Sequence, residues 1–253
     1  MDQQYFKEYY HLERVNWWFT VRIKILRERI NHLLDCPKAI HSLNIGAATG
    51  TTSDMLSELG EVMSVEYDAE CCNYTKTFLS TPIIQGSITE LPFENNSYDL
   101  VCAFDVIEHV EDDAKAIEEM IRVCKPGGHI AITVPAYAFL WGEHDVINHH
   151  FRRYTRVGLL RLLKKHEGKI IYHSYFNSIL FIPIAAFRLL ANLIKKLKGP
   201  QKEKLESDHA IFGTEGLFNP ILGGIFSIDY YLLKWGLRFP AGVSIMVFFK
   251  KPY

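Results

Sequence analysis

The chain has 253 residues, 48% of them hydrophobic and 23% charged, with 28 lysines and arginines against 29 aspartates and glutamates. That is too much apolar material for a disordered chain and enough for one sizeable core. A net charge of −1 gives no electrostatic footprint for a nucleic-acid partner, so none is expected.

Residues 1–39 repeat apolar side chains (Trp17, Trp18, Val21, Ile25, Leu26, Ile30, Leu33, Leu34) at near-helical spacing. This predicts an N-terminal helical cover that Pro37 stops. Next, Ser42-Leu43-Asn44-Ile45 runs into the turn Gly46-Ala47-Ala48-Thr49-Gly50, followed by a helix-like pattern over residues 54–59. Small residues in such a turn let the main chain approach a ligand closely, and the helix start presents unpaired N–H donors. The second strand, Val62-Met63-Ser64-Val65-Glu66, ends in an acid that can accept both hydroxyls of a ribose. Together the two features imply a nucleoside-containing cofactor.

A third strand-like piece (residues 82–86), a buried-strand run (98–104), a helix over 111–124 and a strand from Ile130 to Pro135 follow. Thr155 reads as the N-cap of a helix over 156–166, with Gly168 as its C′ residue. Strands six and seven are expected at 170–176 and 243–249. Strands and helices alternating from 40 to 176 predict a doubly wound α/β sheet. The five cysteines (36, 71, 72, 102, 124) have no metal-ligand spacing and lie in apolar segments. They read as reduced, buried thiols of a cytoplasmic protein, and no secretory signal is visible.

In the ordered blocks Leu91-Pro92-Phe93, Tyr98-Asp99-Leu100-Val101, Glu108-His109 and Lys125-Pro126-Gly127-Gly128, the chain resembles the class I S-adenosylmethionine-dependent methyltransferases. The resemblance covers residues 40 to 176. It implies a Rossmann-like sheet of seven strands, the last antiparallel, with S-adenosylmethionine as cofactor and S-adenosylhomocysteine as product. It also carries cofactor roles onto Gly46, Gly50 and Glu66, and onto Ser87, Ile88, Phe104 and Asp105. Gly46 and Gly50 would pass the methionine part, Glu66 the ribose, Ser87-Ile88 the adenine, and Asp105 the methionine amine. Three cofactor-site positions depart from the family: Asn44 where Asp is common, Ala48 where Gly is common, and Ser87 where Asp is common. Asn44 loses a charge that would favour the ammonium, and Ala48 adds a methyl at a close approach. Arg22, one turn after Trp18, would reach the methionine carboxylate from the N-terminal cover.

The segment from Leu140 to Thr155 holds three histidines, Asp145 and two arginines, more polar side chains than packing requires. Together with Trp17-Trp18-Phe19 and Arg22 it resembles a bacterial methyltransferase subgroup with a "WWF…R" start and "HD…HxRRY" after strand five. Its place after strand five puts it at the carboxyl edge of the sheet, where open α/β sheets bind ligands. A neutral histidine suits deprotonation of a hydroxyl acceptor, with His150 the first candidate, then His144 and His109. Arg152 and Arg153 could grip a substrate carboxylate or phosphate, with Trp141 and Tyr154 in the same lining; one of the two arginines is equally suited to a structural pair with Asp145 or Glu143. The spacing of His144, Asp145, His149 and His150 matches no metal motif, so no metal is expected.

Residues 177–242 form an insert between strands six and seven, far longer than an ordinary connection. Two hydrophobic stretches, 179–194 and 217–239, flank a charged linker from Lys195 to Asp208. Both are too short or too interrupted to span a bilayer. The insert reads as a helical lid, as a peripheral membrane-surface element within 177–240, or as a homodimer interface. The organisation is thus a cover (1–39), a cofactor-binding core (40–176), the insert, and a last core strand (243–253). The expected activity is methyl transfer, O-methylation of a small or lipid-linked acceptor: a sugar or glycan-precursor hydroxyl, or a quinone-like phenol. A non-catalytic cofactor-binding protein and an NAD-dependent oxidoreductase are the alternatives.

Overall fold

A computed structural model describes residues 3–34, 39–198 and 216–253 of the chain. The apolar runs become one seven-stranded sheet of order β3-β2-β1-β4-β5-β7-β6. Its strands are β1 (Ile40–Ile45), β2 (Gly60–Glu66), β3 (Ile83–Gln85), β4 (Tyr98–Phe104), β5 (Cys124–Pro135), β6 (Lys169–Phe176) and β7 (Ser244–Lys250). The first five run parallel, and β7 is antiparallel to both neighbours, pairing Ser244 with Pro135. The start of β7 therefore sits at the same edge as the ends of β1, β2, β4 and β5. In β7 six of seven residues are buried, as a strand covered on both faces demands.

The helices are α1 (Gln3–Val15), α2 (Trp17–Leu33), α3 (Thr51–Ser57), α4 (Ala69–Thr75), α5 (Asp113–Val123), α6 (Glu143–Ile147), α7 (Arg156–Leu163), α8 (Phe181–Lys198) and α9 (Phe218–Lys234). The N-terminal cover is two helices, not one. Asn16 takes an extended conformation between them and its side chain accepts the Trp18 N–H at 2.9 Å, capping α2. Thr155 caps α7 by accepting the Gly158 N–H at 3.1 Å. Gly168 is no helix C′ residue, because α7 stops at Leu163. Its φ of +139° and a Cβ position 2.2 Å from the Phe249 ring show why glycine opens β6 instead.

The insert supplies α8 and α9. Lys195 and Lys196 belong to α8 rather than to a linker, and residues 199–208 of the expected linker lie outside the described residues, as does Cys36. The second insert helix lies along the N-terminal cover. Asn219 bridges the α1–α2 break, accepting the Trp17 N–H (2.7 Å) and donating to the Val15 carbonyl (2.9 Å). Phe226 then packs edge-on to Trp17 and stacks on Phe176 of β6. Asp229, fully buried, accepts the N–H groups of Ser178 (2.6 Å) and Ile179 (3.2 Å), fastening α9 to the exit of β6. Among the described residues no helix is long and apolar enough to cross a membrane.

Candidate active site

The turn after β1 is built for close approach. Gly46 adopts φ +70°, and a Cβ there would come 2.5 Å from Val106 Cγ2, so only hydrogen fits. Gly50, at φ +87°, opens α3. Ala48 lies between them at φ +46°, a left-handed conformation that costs an L-residue about 1–2 kcal/mol. The strained turn is braced from three sides. Glu66 Oε2 accepts the Ala48 N–H at 2.8 Å and its Oε1 accepts the Asp68 N–H at 3.0 Å. Asn44 Nδ2 donates to Thr52 and Ser53 (both 2.8 Å). From the cover, buried Glu13 accepts the hydroxyls of Thr49 and Thr51, and Arg14 reaches the Thr49 carbonyl (3.3 Å). Burial raises both Glu13 and Glu66 above the ordinary carboxylate range, against these hydrogen bonds.

This turn forms one wall of a cavity of about 1930 Å³ at the carboxyl edge of the sheet. A single small-ligand site takes roughly 300–1,000 Å³, so there is room for two molecules. Of the expected cofactor residues, Gly46, Ala48, Glu66, Ser87, Ile88, Phe104, Asp105 and Arg22 line it, whereas Asn44 and Gly50 stand behind it. Arg22 does not point into open space: its Nη2 lies 2.5 Å from Asp105 Oδ2, and its guanidinium lies over the Trp18 and Phe104 rings. Positive-φ glycines, backbone groups without room for side chains, and an acid at the end of β2 fit an adenosyl cofactor. Glu66 keeps spare lone pairs for a ribose beyond the two N–H groups that it accepts.

The polar end of the cavity is made where the loop after β5 folds over the end of β4. The Phe151 N–H donates to the Glu108 carbonyl (2.8 Å), and Tyr137 and Tyr154 exchange backbone contacts with the β5 exit. His109, His144 and His150 all face this end, with His150 4.5 Å from His109 and 6.0 Å from His144 between ring centroids. His150 Nδ1 lies 2.8 Å from Asp145 Oδ1, and Arg153 Nε donates to the same oxygen at 2.7 Å. Burial alone would raise the Asp145 carboxyl, but the His150 hydrogen bond and the Arg153 charge hold it well below the usual range. His109 opens onto the cavity, yet the surrounding protein and the adjacent His150 push its pKa down to about 4. Asp145 thus orients His150 with its other ring nitrogen toward the cavity.

The remaining expected substrate residues are placed elsewhere. Arg153 lines the cavity but is committed to Asp145. Arg152 pairs with Asp113 (3.0 Å) and the Glu111 carbonyl (2.6 Å), and Tyr154 donates to Asp113 (2.8 Å), both outside the cavity. Trp141 also lies outside, its carbonyl accepting from Asn192 of α8 (3.1 Å). Sequence reasoning missed Glu108 as a lining residue, although Glu108-His109 is one of the ordered blocks. It is fully buried, and neither carboxylate oxygen meets a hydrogen-bond partner among the other described residues. Burial and the nearby Asp105 carboxylate push it well above the ordinary range. The opposite wall is apolar: Trp17, Leu140, Leu180, Ile184, Phe187 and Leu222, most of them from the insert and cover.

Comparison with known proteins follows this geometry. A methyltransferase domain family model matches residues 43–132. A probable S-adenosylmethionine-dependent methyltransferase of Mycolicibacterium smegmatis is 29% identical over 60% of this chain and 60% of its own length. A demethylmenaquinone methyltransferase of Bacillus licheniformis is 25% identical over 50% of this chain and 58% of its own. The chain therefore spans about three-fifths of the length of these curated relatives. Among solved structures, the YcgJ protein of Bacillus subtilis superposes with a TM-score of 0.58 at 16% identity, covering 90% of this chain and 98% of that one. An S-adenosylmethionine-dependent methyltransferase of Mesorhizobium loti gives 0.54 at 12%, covering 85% and 92%. At such identities the structures testify to the fold.

Proposed function

We propose that this chain, which belongs to the class I S-adenosylmethionine-dependent methyltransferases through its domain at residues 43–132, methylates a hydroxyl on an acceptor with an apolar tail. S-adenosylmethionine, when bound, supplies a methyl group activated by its sulfonium. Gly46, Ala48, Glu66, Ser87, Ile88 and Asp105 are the residues that would hold it. The task left to the chain is to align the acceptor oxygen with that methyl carbon, exclude water, and take up the hydroxyl proton. Transfer would form a C–O bond from the acceptor oxygen's lone pair, the bonding pair of the methyl group being left on the cofactor's sulfur. The proton leaves at the histidine end, with His150 the favoured base because Asp145 fixes its ring.

The observation that carries the reading is one cavity with three walls of different chemistry: the glycine turn, the Glu108–histidine end, and the apolar side from α2, α8 and α9. The apolar wall favours an acceptor whose head group reaches the histidines while its tail lies along the insert. A lipid-linked sugar and a tailed quinone-like phenol both belong to that class, and relatives named for demethylmenaquinone support the second. The outer faces of α8 and α9 carry exposed Ile182, Leu190, Leu193, Leu197, Phe218 and Trp235, which suits contact with the membrane surface where such acceptors reside. The test is transfer of a labelled methyl group to paired acceptors with and without their tails. Turnover of the tailed member at least tenfold above the tail-less one is expected, and equal rates would overturn the acceptor class. His150→Ala should lower that turnover while leaving S-adenosylhomocysteine affinity nearly intact; full activity would eliminate it.

A further inference from the structure

Glu108, His109 and His150 bring one carboxylate oxygen and two ring nitrogens within 4.8 Å of one another at the polar end of the cavity. Three features make this more than a chance cluster. The Glu108 carboxylate is completely buried and, among the described residues, has no hydrogen-bond partner outside its own residue, a state costly for a group that does nothing. His150 has its Nδ1 spent on Asp145, so its Nε2 lone pair is available. His109 faces the same point, its ring centroid 4.5 Å from that of His150. Two imidazoles, one of them oriented by an outer carboxylate, beside a buried carboxylate are the arrangement in which proteins hold a transition-metal ion.

We propose that Glu108, His109 and His150 form a site for one first-row divalent cation of the zinc type. Two nitrogen ligands argue against magnesium or calcium, which take oxygen. Bonds of about 2.0–2.2 Å would draw the three ligand atoms onto one ion. Asp145, buried and held by Arg153 and the Gly142 N–H (2.8 Å), is the positioning residue for His150. Among the described residues three protein ligands are present, so a coordination position stays open toward the cavity. The inference rests on reading the cavity as the site of methyl transfer. There the acceptor hydroxyl would take the open position and ionise more readily, its proton leaving with solvent before water is excluded. The O–H electron pair stays on the oxygen, which then forms the C–O bond. In that state His150 acts as ligand, and the ion makes the hydroxyl acidic in its stead.

The test uses the full chain stripped with a chelator. Calorimetric titration with zinc chloride, and absorption titration with cobalt chloride, should each show one site per chain, cobalt developing visible bands of low coordination number. Glu108→Gln and His150→Ala should each weaken binding by at least about 10- to 100-fold, the effect that loss of a mere outer partner of a metal ligand already has. His41→Ala, at an exposed histidine beside Glu61, should change nothing. S-adenosylhomocysteine affinity, measured on the same variants, should be preserved. Circular dichroism confirms that each variant folds, and the near-isosteric Glu108→Gln carries the test should His150→Ala fail to. Absent binding, or binding unaltered in the folded variants, overturns the site while leaving the methyltransferase reading intact. Loss of S-adenosylhomocysteine binding by the wild-type chain would instead strike that underlying reading.

Discussion

Glu66 has two tasks in this structure, and they can be separated. Its oxygens accept the N–H groups of Ala48 and Asp68, so it fixes the strained turn, and the lone pairs left over face the cavity where a ribose would lie. Replacing it by Ala removes a charged acceptor from both, and S-adenosylhomocysteine binding should weaken by about 1–3 kcal/mol in calorimetry. Glu66→Gln should lose affinity as well, because an amide nitrogen cannot accept from either N–H group. Unchanged affinity in both variants would remove Glu66 from the site. The place of Glu66 at a strand end and of Gly46 in the turn before α3 was legible in the sequence, because a strand, its turn and its terminal acid are local patterns. Asp105 came only through the family resemblance; all three line the cavity. Glu108 was not legible as a lining residue: what distinguishes it is complete burial and a histidine 42 positions further along, and neither leaves a mark in local spacing. Arg152 and Arg153 show the converse, since a basic pair reads alike whether it faces a substrate anion or, as here, Asp113 and Asp145.

At the level of elements, the strands and their order followed from apolar runs and punctuation, and the two insert helices from their hydrophobic stretches. The partner of the insert was hidden, because amphipathic patterning says that a face is covered without saying by what. Here α9 covers α2, with Asn219 fixed at the α1–α2 break and Lys234 3.6 Å from Glu28 of α2, while Asp229 ties the same helix to the backbone just after β6. Asp229 is raised by burial, with the Ser178 and Ile179 N–H groups pulling the other way, so it is held by backbone donors rather than by a cation. Asp229→Ala leaves two N–H groups without their acceptor, and a loss of about 1–3 kcal/mol in urea unfolding is expected. Cleavage within the insert by a dilute protease should accelerate at the same time, because α9 loses its tether to β6. A variant with unchanged unfolding and unchanged cleavage would show that apolar packing around Phe226 alone holds the insert in place.

Over the whole molecule, the sheet edge, the cover and the insert enclose one cavity, and the insert turns apolar side chains both inward and outward. Ile184 and Phe187 of α8 line the cavity, while Leu190 and Leu193 stand 57% and 53% exposed on the same helix. A helix wet on its outer face would ordinarily carry polar residues there. The proposed occupant of that apolar outer face is a membrane interface, in which amphipathic helices bury such a face. Such contact would let a tailed acceptor pass from the bilayer along α8 into the cavity without crossing water. Returning the exposed half of a leucine to an apolar phase contributes roughly 1 kcal/mol, so the pair accounts for about 2 kcal/mol, more than a factor of ten in partitioning. Leu190→Glu combined with Leu193→Glu should therefore lower cosedimentation with vesicles containing phosphatidylglycerol at least tenfold. The same variant should keep its S-adenosylhomocysteine affinity, because neither leucine touches the cavity. Equal partitioning of variant and wild type would detach the outer face from lipid, and would leave the apolar inner wall to be explained by the acceptor alone.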